Sequence, residues 1–296
     1  MIETGDHARL DKWLKEQRRG WSLAHVIESH GTLVLLAVLT VAIGVFAAAR
    51  WGIPLASERV ARQLPPTVHA QLGTGALSEL DEFLFKPSQL PAARRAMIEA
   101  QFDRFAPADD LMLYRVVFRD GGLIGANAFA LPDGTIVVTD QLVELALNND
   151  EVLAVLFHEM GHVYHRHSMR KLLSHSALAL IAFLIIGDVS SVGDLVLALP
   201  GLLTESAYSR AFETEADAYA LARMKAQNFD PQHFANLMLR LEACAHLPPK
   251  EAETAENSAS VCEVEEIASR DDDSWLHYLA SHPATAQRIE AFRRTP

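Results

Sequence analysis

The chain has 296 residues, 50% of them hydrophobic, and a formal net charge of -12. This length allows a sizeable core in one large domain or two modest ones, and the composition excludes a wholly disordered protein. The negative charge argues against a general nucleic-acid-binding role, because DNA and RNA phosphates bind basic surfaces.

The first predicted element is the uncharged apolar run Thr32–Ala49. As a helix rising about 1.5 Å per residue it extends roughly 27 Å, close to the hydrocarbon thickness of a bilayer. Trp51 follows it where interfacial aromatic residues belong. We therefore predict an uncleaved anchor over 32–50, after an N-terminal segment 1–31. A slight excess of basic residues before the run predicts that this segment is cytoplasmic.

A helical connector is predicted over 51–110, followed by the main domain, 111–296. Two β-rich runs open this domain, Leu111–Phe118 and Thr135–Thr139, with Gly- and Pro-containing turns between them. This pattern predicts a small antiparallel sheet.

Helical patterns fill the remainder of the main domain. Asp140 begins a short helix, and Asn149-Asp150-Glu151 provides capping side chains for a long helix that runs to about Leu173. An acidic loop over 247–273 interrupts the later helices. The predicted fold class is therefore α+β, mostly helical, with the small sheet beside the central helix.

Two features leave alternatives open. The apolar region 177–203 is either a pair of buried core helices or a hairpin that enters the bilayer surface. Cys244 and Cys262 bracket the front of the acidic loop, and they are either a disulfide or two ordinary thiols, depending on the compartment.

Residues 155–167, VLFHEMGHVYHRH, place ionisable side chains in an otherwise apolar helix. Positions i and i+4 share a helix face, so His158 and His162 offer two imidazoles to one ion, and Glu159 lies one step round from the first. HExxH is the pattern of two zinc ligands with a carboxylate that takes a proton from the attacking water. The sequence therefore predicts a catalytic zinc site on this helix.

A catalytic zinc ion usually has three protein ligands and one open position. We interpret His165 and His167 as surface or hydrogen-bonding side chains, so the third ligand should come from another helix. In SRAFETEADAYA, Glu213 and Asp217 lie on one face and Glu215 points away. We predict that Glu213 is the third ligand and that Asp217 orients a ligand imidazole.

Four motifs in order resemble those of the HtpX-like and CaaX-prenyl-protease-like zinc metallopeptidases, which belong to the gluzincins. They are LIGANAFALPDGTIVVTDQLVEL, VLFHEMGHVYHRH, SRAFETEAD and SHPATAQRIEAF. The resemblance covers roughly residues 111–292 and implies a zincin-like metalloprotease domain with one zinc ion per chain. It implies that His158, His162 and Glu213 hold the zinc and that Glu159 is the catalytic base.

The resemblance also implies a substrate-binding edge strand in the sheet. This strand is TIVVT, which comprises Thr135, Ile136, Val137, Val138 and Thr139. An open edge presents unpaired backbone groups to an extended peptide, so the assignment is physically reasonable.

His282, in SHPATAQRI, is a candidate for donating a hydrogen bond to the oxyanion or for gating the cleft. A histidine at the start of a late helix can fold back onto an earlier one. The alternative is a residue that only begins this helix.

A single apolar span favours the envelope quality-control branch of the family, the BepA-like proteins, over its multi-span members. We predict a single-pass zinc endopeptidase of the bacterial inner membrane, with its catalytic domain in the periplasm, that cleaves extended or misfolded polypeptides. The alternatives are a zinc-bound chaperone or scaffold, a prenyl-peptide protease, and a metal-dependent hydrolase of non-peptide amides or lipids. The sequence predicts neither the physiological substrate nor the oligomeric state.

Overall fold

The computed structural model describes residues 31–107, 113–186, 210–246, 282 and 286–294. The chain divides into two compact units, Met1–Ala56 and Ser57–Pro296. The acidic loop 247–273, the segment 187–203 and Cys262 lie outside the described residues.

The described helices, in chain order, are α1 (Gly31–Ala47), α2 (Ile53–Gln63), α3 (Pro66–Phe83), α4 (Ala92–Phe105), α5 (Asp140–Leu145), α6 (Asn149–Tyr164), α7 (His167–Ile186), α8 (Arg210–Ala226), α9 (Gln232–His246) and α10 (Ala286–Arg294). The described strands are β1 (Lys86–Pro87), β2 (Arg115–Asp120), β3 (Ala128–Ala130) and β4 (Thr135–Thr139).

An apolar helical run occupies the N-terminal part of the described chain. It comprises α1, a π-helical turn over Ala48–Gly52, and α2. Among the described residues, Gly31–Gln63 is the one helical stretch long and apolar enough to cross a membrane. None of the α1 side chains is buried. The structure therefore contains the helix that the sequence predicts as an anchor.

The sheet is mixed, which corrects the prediction of an antiparallel sheet. The strand order is β1-β2-β4-β3. Strands β2 and β4 are parallel, with Val117 opposite Val137, whereas β3 is antiparallel to β4, with Phe129 opposite Val137. The prediction was wrong because the chain after β2 first forms β3 on the far side of β4.

The prediction that TIVVT is an edge strand was also wrong. Strand β4 pairs with β2 on one side and with β3 on the other, so its backbone groups are used within the sheet. All five of its residues are buried. A continuous apolar run without polar alternation is typical of an internal strand covered on both faces. Among the described strands, β3 and β1 form the edges of the sheet.

Helix α6 is the centre of the core. It contacts the sheet strands β3 and β4 and the helices α4, α8 and α9. Its N-terminus is capped by Asn148, whose side chain accepts a hydrogen bond from the Glu151 amide at 3.0 Å. Arg240 donates to both carboxylate oxygens of Glu151, at 2.7 and 3.1 Å, and so fixes α9 to this end of α6.

The long helix predicted to reach Leu173 is broken into α6 and α7. Arg166 has a φ of 55°, the left-handed conformation that commonly ends a helix. Its side chain donates a hydrogen bond to the Ala61 carbonyl at 2.7 Å, and α7 begins at the next residue, His167. Just after the break, His167 contacts His162, with their Nδ1 atoms 2.8 Å apart.

Candidate metal centre

The two HExxH histidines meet as the helical spacing predicts. His158 and His162 are fully buried on α6, and their Nε2 atoms lie 3.0 Å apart. Phe234 packs against the His158 ring, with centroids 5.3 Å apart. The two ring nitrogens therefore face one point within the core.

Glu213 joins this pair from α8. Its carboxylate oxygens lie 3.3 Å from His158 Nε2 and 3.4 Å from His162 Nε2. The approach of the helices depends on Gly161, because a Cβ there would lie 2.7 Å from the Cα of Ala216. The glycine thus makes room for the α8 backbone, whereas a side chain would separate the two halves of the site.

His282 supplies the fourth member of the group. Its Nδ1 lies 3.3 Å from His158 Nε2 and 3.2 Å from each Glu213 oxygen, and the residue is fully buried. The two rings of His282 and His162 are 5.1 Å apart. The sequence suggested that His282 either donates to the oxyanion or gates the cleft. Its contacts place Nδ1 among the donor atoms of the site.

The donor atoms of these four residues fit a tetrahedral metal ion. Ligands about 2.0 Å from zinc in a tetrahedron are separated by about 3.3 Å. The separations that involve His158 or Glu213 run from 3.0 to 3.4 Å, with one Glu213 oxygen nearer His158 and the other nearer His162. Imidazole and carboxylate donors are also those that zinc prefers. The residues therefore fit a zinc ion by both chemistry and spacing.

Glu159 lies beside the donor atoms. Both its carboxylate oxygens are buried, and neither receives a hydrogen bond from the described residues. Oε1 lies 3.6 Å from His282 Nε2. Burial raises the pKa of Glu159. A buried carboxylate in this position is suited to accept a proton from a water molecule at the site.

Asp217 and Arg288 surround the donor atoms. Asp217 Oδ1 lies 2.9 Å from Nδ1 of His158. Arg288, on α10, donates to Asp217 at 2.6 and 2.9 Å and contacts Glu213 at 2.9 Å. Asp217 thus lies between Arg288 and His158. Sequence reasoning missed Arg288, although it lies within the SHPATAQRI motif, because its partners are on another helix.

A second group of side chains lies behind His162. Its Nδ1 is 2.8 Å from Nδ1 of His167, whose Nε2 is 3.0 Å from Glu215. Arg170 donates to the same Glu215 oxygen at 2.7 Å. His167 is buried and hydrogen-bonded, as interpreted from the sequence, and His165 is partly exposed. Glu215 points away from the donor atoms, as predicted, but it is bonded to His167.

The charges of the group are interdependent. Burial opposes the charged form of His158, but hydrogen bonds to Asp217 and Glu213 outweigh it and raise the pKa to about 9. Burial likewise opposes the charged form of Glu213, but His282 and His158 hold its pKa well below the usual range. Burial lowers the pKa of His162 far below its ordinary value. Glu213 is therefore held as an anion, whereas burial favours the neutral form of Glu159.

Two histidines and a glutamate on an HExxH helix, with a further carboxylate from a second helix, are the pattern of a metallopeptidase. Residues 92–295 match peptidase family M48, and the chain belongs to that family. This confirms the resemblance to the HtpX-like peptidases that the motifs suggest. Metallopeptidases of this family are zinc-dependent.

Three similar proteins illustrate the range of the family. Mitochondrial metalloendopeptidase OMA1 of Schizosaccharomyces pombe is 34% identical over 40% of this chain and 35% of its own length. A Protease HtpX homolog of Gemmatimonas aurantiaca is 27% identical over 56% of this chain and 64% of its own. The Beta-barrel assembly-enhancing protease of Yersinia pestis is 28% identical over 39% of this chain and 26% of its own. The chain thus spans less than two thirds of each.

Proposed function

We propose that this chain is a membrane-anchored zinc endopeptidase that cleaves extended or misfolded polypeptides. The observation that carries the proposal is the tetrahedral spacing of donor atoms from His158, His162 and Glu213, with buried Glu159 beside them. Membership of the peptidase family and the apolar helix Gly31–Gln63 support it.

The roles of the side chains follow from their positions. His158, His162 and Glu213 would hold the ion, which when bound polarises the scissile carbonyl and makes a water molecule more acidic. Glu159 accepts the proton of the attacking water and delivers it to the leaving amine. Asp217 would accept a hydrogen bond from the Nδ1–H of His158, which leaves Nε2 of His158 free for the ion.

Strand β3 replaces TIVVT as the proposed substrate-binding strand. It is an edge strand that packs against α6, the helix of the donor atoms. Backbone hydrogen bonds run from Leu131 to Thr135 and from Thr139 to Asn127, at 2.7 and 2.9 Å. By the alternation of an antiparallel pair, Ala128 and Ala130 direct their backbone groups away from β4. The carbonyl oxygen of Ala130 already accepts a hydrogen bond from Ser168 Oγ at 2.6 Å, so the backbone groups of Ala128 are those proposed to pair with an added strand.

His282 is proposed to gate the site rather than to donate to the oxyanion. Its Nδ1 lies at hydrogen-bonding distance from His158 and from Glu213, where a fourth ligand would be. A fourth protein ligand closes the position that a catalytic site keeps open. Withdrawal of His282 would then admit substrate.

The proposed setting is protein quality control in the cell envelope, with the catalytic domain on the periplasmic side of a bacterial inner membrane. A single anchor and the similarity to the Beta-barrel assembly-enhancing protease support this setting. Fusions of alkaline phosphatase and of green fluorescent protein to the C-terminus test it. Phosphatase activity without fluorescence is expected, and fluorescence without phosphatase activity would place the domain in the cytoplasm.

The full chain in detergent micelles, incubated with reduced casein beside Glu159→Gln, tests the activity. Loss of a general base lowers cleavage by about 10²- to 10⁴-fold. The amide is nearly isosteric, so the zinc content of the variant should equal that of the parent. If the parent binds zinc but cleaves no more than the variant does, even with His282→Ala introduced, the protein is a zinc-bound binding protein.

Two competition experiments address the remaining substrate classes. An inhibitor that mimics an extended peptide should block cleavage of casein, and its failure would favour a non-peptide amide or lipid as substrate. A farnesylated tetrapeptide should not compete, and strong competition would favour the prenyl-peptide alternative.

A further inference from the structure

The two HExxH imidazoles differ in what holds their second nitrogen. Nδ1 of His158 faces a carboxylate directly, at 2.9 Å from Asp217. Nδ1 of His162 instead faces another histidine, His167, at 2.8 Å. On this side the carboxylate is that of Glu215. It lies beyond His167, 3.0 Å from His167 Nε2.

The direction of these hydrogen bonds follows from the donor set. To bind an ion through Nε2, a neutral His162 must carry its proton on Nδ1. This N–H then donates to Nδ1 of His167, which must be the acceptor. The neutral ring of His167 carries its own proton on Nε2, where it donates to the carboxylate of Glu215. The two protons are therefore placed on Nδ1 of His162 and on Nε2 of His167.

We propose that His167 is a positioning residue that fixes the tautomer and orientation of His162, with Glu215 as the anionic end of the series. The inference rests on the proposed function, since it requires an ion held by Nε2 of His162.

His167 is itself held rigidly, as a positioning residue must be. Its ring stacks on Phe212 with centroids 4.2 Å apart and planes 7° apart. The Arg170 guanidinium lies 4.4 Å from the same Phe212 ring and donates to Glu215 at 2.7 Å. These contacts join α7 to α8, the helix that carries Glu213.

A second metal site is the rival use of the same side chains. His165, His167 and Glu215 are close enough together to hold an ion. However, Arg170 already donates to Oε2 of Glu215, the oxygen nearest both histidines. The nearby guanidinium repels a cation, and Nδ1 of His167 is bonded to His162. Hydrogen bonding therefore explains the group better than a second ion does.

The experiment measures zinc affinity of the full chain in micelles, by competition with a chromogenic chelator. The variants are His167→Phe, His167→Asn, His167→Gln and the control His165→Asn. Phe keeps the stacking on Phe212 but offers no acceptor. The amide oxygen of Asn branches from Cγ, as Nδ1 of His does, whereas that of Gln lies farther out, near the former Nε2.

Loss of the orienting hydrogen bond is expected to raise the zinc Kd of His167→Phe about 10- to 100-fold. His167→Asn should recover most of this loss, His167→Gln should not, and His165→Asn should bind zinc as the parent does. The visible spectrum of the Co²⁺-substituted protein should change in the Phe and Gln variants only. Zinc content should be one ion per chain throughout.

The outcomes separate the inference from the proposed function. A parent that binds no zinc overturns the proposed function itself. A parent that binds zinc no more tightly than the Phe variant overturns the inference alone. Two ions per chain, with one lost in the variants of both His165 and His167, establish the second metal site instead. If the Phe variant does not fold, equal affinity of the Asn and Gln variants rejects the inference.

Discussion

Arg288 contacts two carboxylates that lie on one face of α8. Its guanidinium is bonded to Asp217 at two positions and to Glu213 at a third. A planar guanidinium can make all these contacts at once, whereas the ammonium of lysine is a single point. The residue therefore fixes the ligand carboxylate and the carboxylate that orients His158 in one geometry.

We expect Arg288→Lys to weaken zinc binding while keeping the positive charge. Loss of the bidentate geometry lets both carboxylates rotate, and outer contacts of this kind change metal affinity about 10- to 100-fold. Chelator competition measures the change. Arg293→Lys is the matched control, since Arg293 lies exposed on the same helix. Equal zinc affinity in the two variants would show that Arg288 has no orienting role.

His282→Ala distinguishes gating from oxyanion stabilisation. If His282 occupies the open ligand position, its removal should raise the rate of casein cleavage severalfold. Removal of an oxyanion donor would instead lower kcat by about 10²- to 10³-fold. Initial rates at saturating casein, corrected for zinc content, measure the difference, and a fall of that size would refute the gate.

At the residue scale, the local pattern predicted the side chains that one helix brings together. His158 with His162 and Glu213 with Asp217 are i, i+4 pairs, so the helical period alone places each pair on one face. Arg288 and His167 were not predicted as parts of the site, because their roles depend on how α10 and the turn at Arg166 fold back. Contacts between distant segments leave no periodic pattern in the local sequence.

At the scale of elements, the contact of α6 with α8 determines the site. Gly161→Ala should force the helices apart, because the new Cβ would lie 2.7 Å from Cα and 2.8 Å from the carbonyl oxygen of Ala216. Backbone atoms cannot move aside as a flexible side chain can. We expect a loss of about 1–3 kcal/mol in the free energy of unfolding, together with weaker zinc binding.

Gly75→Ala provides the control for this prediction. A Cβ at Gly75, within α3, would meet nothing within 4 Å. Alanine should therefore raise stability by about 0.5–1 kcal/mol through helix propensity alone. Thermal unfolding of both variants, followed by circular dichroism in micelles, makes the comparison. A Gly161 variant as stable as the parent would contradict the close-packing argument.

The strands show where pattern analysis reaches its limit. The β-rich character of Thr135–Thr139 was predicted correctly, but the direction of its neighbours was not. Strand existence depends on local residue types, whereas pairing depends on the path of the chain between strands. The apolar run without polar alternation is itself the pattern of an internal strand covered on both faces.

At the scale of the whole molecule, the proposed zinc ion connects segments that are distant in sequence. His158 and His282 are separated by 124 positions, and Glu213 lies between them. An ion that binds only the folded state stabilises it by about 2.7 kcal/mol at 100 times its Kd. We expect chelation to lower the Tm of the full chain, and added zinc to restore it.

The control for zinc removal is His158→Ala, which lacks one proposed ligand. Its Tm should already be low and should respond little to chelator, whereas Glu159→Gln should respond as the parent does. An unchanged Tm of the parent after complete removal of zinc would show that the ion contributes nothing to the folded domain.

The separation of 124 positions between His158 and His282 also has a consequence for synthesis of the chain. At about 5–20 residues per second, translation takes about 6–25 s to pass from one to the other. During that interval the HExxH pair exists on the ribosome without His282 and Arg288. A nascent chain therefore acquires the Arg288 contacts to Glu213 and Asp217, and the proposed gate His282, only seconds after its HExxH pair.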